Sequence, residues 1–231
     1  MRQQSGPIGG MKSHSTTPHA DRFRHERRLI PQGLGRLAGV DEAGRGPLAG
    51  PVTAAAVVLP RDWAVDGFIP ESLLGLNDSK QLSERARERF FDALHLLPEI
   101  HFAIAIISHG TIDQLNILRA THLAMAEALD KLCEPADHAL IDGTAVSGLP
   151  IPHTPIIKGD SQSYSIAAAS ILAKVTRDRI MVEYDRQYPL YGFAIHKGYP
   201  TKAHIDSLLK HGPCPIHRRS FAPVRTLQLE L

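Results

Sequence analysis

Cysteine is scarce in this chain of 231 residues: Cys133 and Cys214 are the only two, and no Cys-x-x-Cys pair occurs. Two cysteines in a chain of this length argue against a disulfide framework and favour a reducing compartment. No apolar run approaches the about 20 residues of a membrane-spanning helix. The first residues also lack the apolar core of a secretory signal peptide. We therefore expect a cytoplasmic protein that does not bind a membrane.

Several familiar site motifs are also missing. The sequence has no Gly-x-x-x-x-Gly-Lys-Ser/Thr loop and no pattern of serine or cysteine with histidine that indicates a protein nucleophile. The glycines of residues 44–50 depart from the dinucleotide-binding spacing, and a predicted strand follows them instead of a helix. His211, Cys214 and His217 match no standard zinc spacing and lack an evident fourth ligand. A nucleotide cofactor and a zinc site are therefore disfavoured.

Charge is balanced over the whole chain but unevenly distributed along it. The formal net charge is only +2, which by itself does not indicate a nucleic-acid partner. Basic residues crowd the C-terminal third and predict a local basic surface: Lys158, Lys174, Arg177, Arg179, Lys197, Lys202, Lys210, Arg218, Arg219 and Arg225. Residues 1–32 are rich in Gly, Ser, His, Arg and Pro without periodicity, and we predict that they form a disordered extension.

The most informative stretch places two adjacent carboxylates at the end of a predicted apolar strand. Asp41 and Glu42 end that strand, and Gly44-Arg45-Gly46 follows them. Two ionised carboxylates side by side repel each other unless a cation lies between them. The glycines leave backbone amides uncovered, and together with the arginine they suit a phosphate. This pattern predicts a site that cleaves a phosphodiester.

Two further apolar runs also end in a carboxylate. Asp142 directly follows one of them, and Asp160 lies shortly after the other. In open α/β sheets, ligands bind at the carboxyl edge of the strands. We therefore expect Asp41, Glu42, Asp142 and Asp160 to converge there on one or two hard cations. Oxygen ligands of this kind suit Mg²⁺ or Mn²⁺.

Hydrophobic periodicity and turn residues predict an α/β fold. The predicted strands cover residues 36–40, 52–59, 102–107, 138–141 and 155–157. The predicted helices cover residues 83–97, 111–132, 161–188 and 201–211. Residues 60–76 are predicted to form a loop, and the chain beyond Gly212 is predicted to be irregular. The order of these elements indicates a mixed sheet flanked by helices, without regular βαβ alternation.

Three other side chains have both a structural and a functional interpretation. Lys80 ends the segment 77–80, which is either a helix-entry turn or part of a site. Lys158 is either a surface lysine at a strand end or a phosphate contact. Tyr199 lies between a glycine and a proline, in an ordinary loop or in one that presents an aromatic face to a sugar or base.

Taken in order, these motifs resemble those of bacterial ribonuclease HII. The matching segments are residues 39–52, 77–80, 141–143, 157–160, 165–178, 197–201 and 211–221. Each segment alone is a weak signal, whereas the ordered set is highly specific. Two features depart from the family pattern: Cys214 stands where a small residue such as serine is expected, and the N-terminal extension is longer than a catalytic core needs.

The resemblance implies a ribonuclease H-like fold with a mixed five-stranded sheet. It places a catalytic core at residues 33–189 and, at residues 190–231, a C-terminal helical extension that contributes to substrate binding. It implies an endonuclease that hydrolyses the RNA strand of RNA–DNA hybrids and cuts on the 5′ side of single ribonucleotides embedded in duplex DNA. Two Mg²⁺ or Mn²⁺ ions would bridge the scissile phosphate, leaving 3′-hydroxyl and 5′-phosphate ends.

The resemblance also assigns roles to residues by position. The four metal-binding carboxylates would be Asp41, Glu42, Asp142 and Asp160. The ribonucleotide-sensing loop would be Gly44, Arg45 and Gly46, and the stacking residue would be Tyr199. The candidates for phosphate contacts are Lys80, Lys158 and Lys174. Since the core is large enough to fold alone, we expect a monomer.

Two alternatives from other classes compete with this interpretation. A metal-dependent 3′-exonuclease also uses four carboxylates on a related sheet, and an end-blocked substrate distinguishes it from an endonuclease. A catalytically silent hybrid-binding protein is the other alternative. The intact set of carboxylates argues against it, because a protein that only binds has no use for clustered acids near a phosphate.

Overall fold

Strand β1 (Leu37–Ala43), which carries the first two carboxylates, lies at the centre of a five-stranded sheet. The structure is a computed structural model and describes residues 21–229. The other strands are β2 (Val52–Val58), β3 (His101–Ile107), β4 (His138–Asp142) and β5 (His153–Ile156), and the order in the sheet is β3-β2-β1-β4-β5. Strands β1, β4 and β5 are parallel, whereas β2 and β3 are antiparallel to their neighbours. The predicted mixed sheet is therefore confirmed.

Helices cover both faces of the sheet. Their bounds are α1 (Arg24–Leu29), α2 (Arg61–Asp66), α3 (Glu84–Leu96), α4 (His109–Leu115), α5 (Ile117–Asp130), α6 (Tyr164–Gln187), α7 (Phe193–His196), α8 (Lys202–His211) and α9 (Val224–Leu229). Helices α3 and α6 pack on one face, and α5 packs on the other. The backbone of α6 touches β1, since a Cβ atom on Gly39 would lie 2.1 Å from the carbonyl carbon of Ser165. Small residues at this contact allow the close approach.

Several predicted element boundaries were wrong. The predicted helix 111–132 is divided into α4 and α5 at Asn116, whose φ of 70° breaks the helix and whose side chain caps α5 through the backbone N–H of Arg119. The predicted loop 60–76 contains helix α2. Strand β1 continues through Asp41 and Glu42, because the antiparallel strand β2 still pairs with it there.

Both termini contain more structure than the sequence predicts. The predicted disordered extension was wrong for residues 21–32, where α1 and a 3₁₀ turn form and where Phe23 and Glu26 are buried against the core. The rest of that prediction, for residues 1–20, lies outside the described residues. Helix α9 replaces part of the predicted irregular end, and its Val224 is buried against Leu48. Helices this short depend on tertiary contacts, which periodicity does not reveal. None of the helices in residues 21–229 combines the length and apolar composition of a membrane span.

Candidate active site

Three of the predicted carboxylates meet at the carboxyl edge of the parallel strands. Asp41 lies in β1, Asp142 is the last residue of β4, and Asp160 lies in the 3₁₀ turn that follows β5. One carboxylate oxygen from each lies within 4.8 Å of those of the other two. The register explains the first pair: Val40 faces Ile141 across the parallel ladder, so the next residue of each strand carries a carboxylate. The Asp142 carboxylate also accepts a 2.6 Å hydrogen bond from the backbone of Gly159, which ties the Asp160 turn to β4.

The fourth predicted carboxylate is directed elsewhere. Successive side chains of a strand point to opposite faces of the sheet. Asp41 therefore lies on the same face of β1 as Gly39, which packs on α6, whereas Glu42 borders a cavity beside α5. The Glu42 carboxylate lies 3.2 Å from the Arg45 guanidinium, in a pair whose arginine side chain is 52% exposed. Asp142 borders the same cavity, so Glu42 lies next to the cluster of three without belonging to it.

Burial and mutual repulsion make it unfavourable for all three clustered carboxylates to carry a charge. Burial raises the pKa of Asp41 well above its usual value, and the carboxylates of Glu42 and Asp142 raise it further. Burial, with the charges of Asp142 and Asp78, raises the pKa of Asp160 to about 6. For Lys80, burial lowers the pKa, but the surrounding carboxylates outweigh it and hold the pKa above its usual value. The site therefore concentrates negative charge that a cation would stabilise.

The donor set fits a divalent metal. All three clustered ligands offer carboxylate oxygens, which hard cations such as Mg²⁺ and Mn²⁺ prefer. Among residues 21–229, this is the only group of three or more acidic, histidine or cysteine side chains with ligand atoms close enough to share an ion. The repulsion that raises the pKa of Asp41 would be relieved by such an ion.

In the absence of metal, we expect the contribution of Asp160 to the stability of the protein to fall as the pH rises from about 4 to about 6. The folded state raises the pKa of Asp160 from 3.8 to about 6, so in this range it holds a proton that the unfolded state has released. That contribution is complete below the ordinary pKa and is lost as the pH rises through the folded pKa. The variant Asp160→Asn lacks this group. In EDTA, its melting temperature should therefore increase relative to wild type across this range, and an identical pH dependence of the two proteins would contradict the assignment.

The loop after β1 has a backbone that only glycine fits at Gly44. The φ of Gly44 is +97°, and a Cβ atom there would lie 2.1 Å from Nε of Arg177. The neighbouring Gly46 lies against the ring of Tyr199, at 3.6 Å from where its Cβ would be. The predicted sensing loop and the predicted stacking residue therefore lie next to each other, although Gly46 and Tyr199 are 153 positions apart in the sequence.

Two buried arginines bind the backbone carbonyl oxygens of this loop. The Arg218 guanidinium donates to the carbonyl oxygens of Gly44 at 2.6 Å, Arg45 at 2.9 Å and Gly50 at 3.0 Å. The Arg177 guanidinium donates to the carbonyl of Pro51 at 2.9 Å, and also reaches Ala49 and Lys197. Both side chains have no exposed surface. The planar fork of arginine suits several fixed acceptors at once, so the pair fixes the shape of the loop.

The sequence placed these two arginines in a predicted basic surface and gave them no role in the site, which was wrong because both are buried. For Arg177 a signal existed: it follows the buried Ser170 and Ala173 at helical spacing in α6, so a charged residue occupies a buried position. A buried arginine must find acceptors, and here they are loop carbonyls. Arg218 lies in an irregular segment, where no pattern of the sequence distinguishes it from the exposed Arg219.

Tyr199 and two of the predicted lysines border one cleft. Its volume is about 360 Å³, and its lining includes Glu42, Arg45, Lys80, Lys174 and Tyr199. Tyr199 remains 40% exposed, so one face of its ring is available. The ammonium of Lys174 contacts both carboxylate oxygens of Asp178, at 2.6 and 2.7 Å, and is thereby held in place. Lys158 borders a second cavity beside Asp142 and Asp160 rather than this cleft.

A chain of buried hydrogen bonds supports the Tyr199 loop. His204 Nδ1 donates to the Tyr199 carbonyl at 2.9 Å, so its Nε2 accepts from Nε2 of His217 at 3.1 Å. His217 Nδ1 then accepts from the backbone N–H of Cys214 at 3.0 Å. Burial lowers the pKa of both histidines to about 4 and raises that of the Cys214 thiol to about 11. The rings of His204 and His217 are therefore neutral, and each ring nitrogen takes part in a hydrogen bond. We conclude that the two histidines hold the Tyr199 loop in position.

The mixed sheet and the carboxylates at its edge define a ribonuclease H-like protein. Residues 38–224 match the family model described as Ribonuclease HII. The ribonuclease HII of Syntrophotalea carbinolica is 51% identical over 200 residues, which cover 87% of this chain and 91% of that relative. The ribonuclease HII of Ruminiclostridium cellulolyticum is 53% identical over 196 residues, which cover 85% and 73% of the two chains.

A solved structure agrees with the sequence relatives. The crystal structure of the ribonuclease H2 from Pyrococcus horikoshii matches with a TM-score of 0.70 at 26% identity, covering 84% of this chain and 98% of that chain. The chain belongs to the ribonuclease HII family. It is accordingly a ribonuclease H enzyme, as the resemblance of its motifs indicates.

Proposed function

We propose that this protein is an endonuclease that hydrolyses the RNA strand of RNA–DNA hybrids and cuts on the 5′ side of single ribonucleotides embedded in duplex DNA. The observation that carries this proposal is the position of the clustered carboxylates beside the Gly44–Gly46 loop and Tyr199. Acidic ligands next to a glycine loop, an exposed arginine and a stacking ring suit a phosphodiester that adjoins a ribose. The family membership supports the same reaction class.

Asp41, Asp142 and Asp160 would hold divalent ions, with Glu42 as the fourth carboxylate. When bound, two Mg²⁺ or Mn²⁺ ions lower the pKa of a water and stabilise charge on the leaving 3′-oxygen. Glu42 becomes available when Arg45 leaves their 3.2 Å contact for a phosphate. The products would carry a 3′-hydroxyl and a 5′-phosphate.

The chain itself would supply substrate recognition. The amides of Gly44 and Gly46, together with the half-exposed Arg45, would contact the backbone around the 2′-hydroxyl that distinguishes RNA from DNA. Tyr199 would stack on the sugar that follows the cut and so read an RNA-to-DNA junction. The lysines would contact phosphates: Lys80, Lys158 and Lys174. Residues 190–231 would contribute to substrate binding through Tyr199, and because the core is large enough to fold alone, the enzyme would act as a monomer.

The proposal is tested with an end-labelled DNA duplex that contains one ribonucleotide and has blocked ends. In Mg²⁺ or Mn²⁺ we expect a single cut on the 5′ side of the ribonucleotide, and no cut in EDTA or in an all-DNA duplex. An RNA–DNA hybrid with blocked ends should be cut at internal positions.

Two other results would replace the proposal with an alternative. An exonuclease would leave both end-blocked substrates intact while degrading unblocked ones. A protein that only binds hybrids would shift the mobility of both substrates without cutting either one in Mg²⁺ or Mn²⁺.

A further inference from the structure

The segment of residues 21–32 packs directly behind the Asp160 turn. This segment, here called the N-terminal latch, precedes residues 38–224, which match the family model. Its helix α1 is too short to be stable alone, so its position depends on tertiary contacts. Those contacts are made mainly with the turn that contains Asp160 and with the loop that contains Lys80. Both carry proposed site residues, which suggests a role for this part of the chain.

Arg22 joins the two loops. Its guanidinium donates to the carbonyl oxygen of Asp160 at 2.7 Å and to that of Leu76, which immediately precedes the segment ending in Lys80. Its Cζ atom lies 4.6 Å from the ring centroid of Tyr164, the first residue of α6. A single planar group therefore bridges the backbone of the Asp160 turn and the base of the Lys80 loop.

Glu26 fixes the other side of the same turn. This buried carboxylate accepts hydrogen bonds from the hydroxyls of Ser163 at 2.6 Å and Ser165 at 2.8 Å, at the start of α6. The backbone N–H of Tyr164 donates to the carbonyl of Arg22 at 3.2 Å, and the ring of Phe23 packs 5.0 Å from that of Tyr164. The junction between the Asp160 turn and α6 is thus held by several contacts that all come from the latch.

We propose that the N-terminal latch is a positioning element of the metal site, in which Arg22 holds the backbone of Asp160 so that its carboxylate stays beside Asp41 and Asp142. This inference rests on the proposed function, because it takes Asp160 as a metal ligand. Groups that orient metal ligands from outside the coordination shell typically change metal affinity or activity by about 10- to 100-fold when removed. Arg22 acts through Asp160 and does not touch the substrate.

The test compares Arg22→Met with Arg28→Met in the full chain. Arg28 lies on helix α1 of the same latch and is exposed, so its replacement removes the same charge without touching the Asp160 turn. Binding of Mn²⁺ to the protein alone, measured from the spin-resonance signal of the free ion, should weaken about 10-fold or more in Arg22→Met and stay at the wild-type level in Arg28→Met. In cleavage assays, the half-saturating Mn²⁺ concentration should rise by the same factor, with the KM for hybrid unchanged.

A third variant keeps the test decisive if Arg22→Met does not fold, as judged from its thermal unfolding. Arg22→Lys retains the charge and one donor, and should give a smaller loss of Mn²⁺ affinity in the same direction. Wild-type affinity in the folded Arg22 variants, or an equal loss in Arg28→Met, would overturn the role of the latch. An inactive wild-type enzyme, or full activity of Asp160→Asn, would instead overturn the proposed function, so the two failures are distinguishable.

Discussion

Replacing Asp142 by asparagine should lower the rate of metal-dependent cleavage by roughly 10³-fold, which corresponds to about 4 kcal/mol of transition-state stabilisation. Asp142 lies at the meeting point of the site: its carboxylate belongs to the cluster of three, accepts a hydrogen bond from Gly159 and also borders the cavity of Glu42. An amide keeps the hydrogen-bond acceptor but offers a neutral oxygen to a cation. The measurement is single-turnover cleavage of the end-labelled duplex in Mg²⁺ and Mn²⁺.

The same replacement should leave the fold intact, and this separates catalysis from stability. In EDTA we expect Asp142→Asn to unfold at a higher temperature than wild type, because the charge of Asp142 raises the pKa of both Asp41 and Asp160 and its removal relieves that repulsion. Asp66→Asn, which changes an exposed carboxylate at the end of α2, should alter neither rate nor stability. Near-normal cleavage by Asp142→Asn would remove it from the metal site.

Replacing Tyr199 by alanine should slow cleavage at a single embedded ribonucleotide by about 10- to 100-fold, since stacking on an aromatic ring contributes about 1–3 kcal/mol per base. The Tyr199 ring is half exposed, lies against Gly46 and borders the same cleft as Arg45. Cleavage within a long RNA–DNA hybrid should fall much less, because that substrate offers no RNA-to-DNA junction at most positions. The measurement is the ratio of the two rates.

The variant Tyr199→Phe is the matched control for this effect. It retains the aromatic face, and the structure gives the Tyr199 hydroxyl no hydrogen bond within residues 21–229, so we expect the wild-type ratio. Equal losses on both substrates in Tyr199→Ala would indicate a general loss of binding and would contradict the reading of a junction. Thermal unfolding of both variants checks that the His204 support of the loop remains in place.

The sequence by itself determined the strands, the mixed sheet and three carboxylates of the site. Asp41 and Asp142 were predictable because each ends an apolar run, and the carboxyl ends of parallel strands share one edge. Asp160 was predictable for the same reason, although it lies in the 3₁₀ turn after β5 and not in the strand itself. Helix-start signals, such as the Ser83 side chain that caps α3, involve residues only a few positions apart. They can therefore be recognised from the sequence alone.

The tertiary structure alone decided how these parts are held together. Asp41 and Glu42 are adjacent in the sequence, yet they face different helices because the strand continues through both. Arg218 reaches the carbonyl of Gly44 across 174 positions, and Arg22 reaches that of Asp160 across 138. No local pattern encodes such contacts, since each depends on where the folded chain brings two distant segments. For this reason the sequence predicted the carboxylates that cluster at the sheet edge, whereas the side chains that hold the neighbouring loops emerged only from the fold.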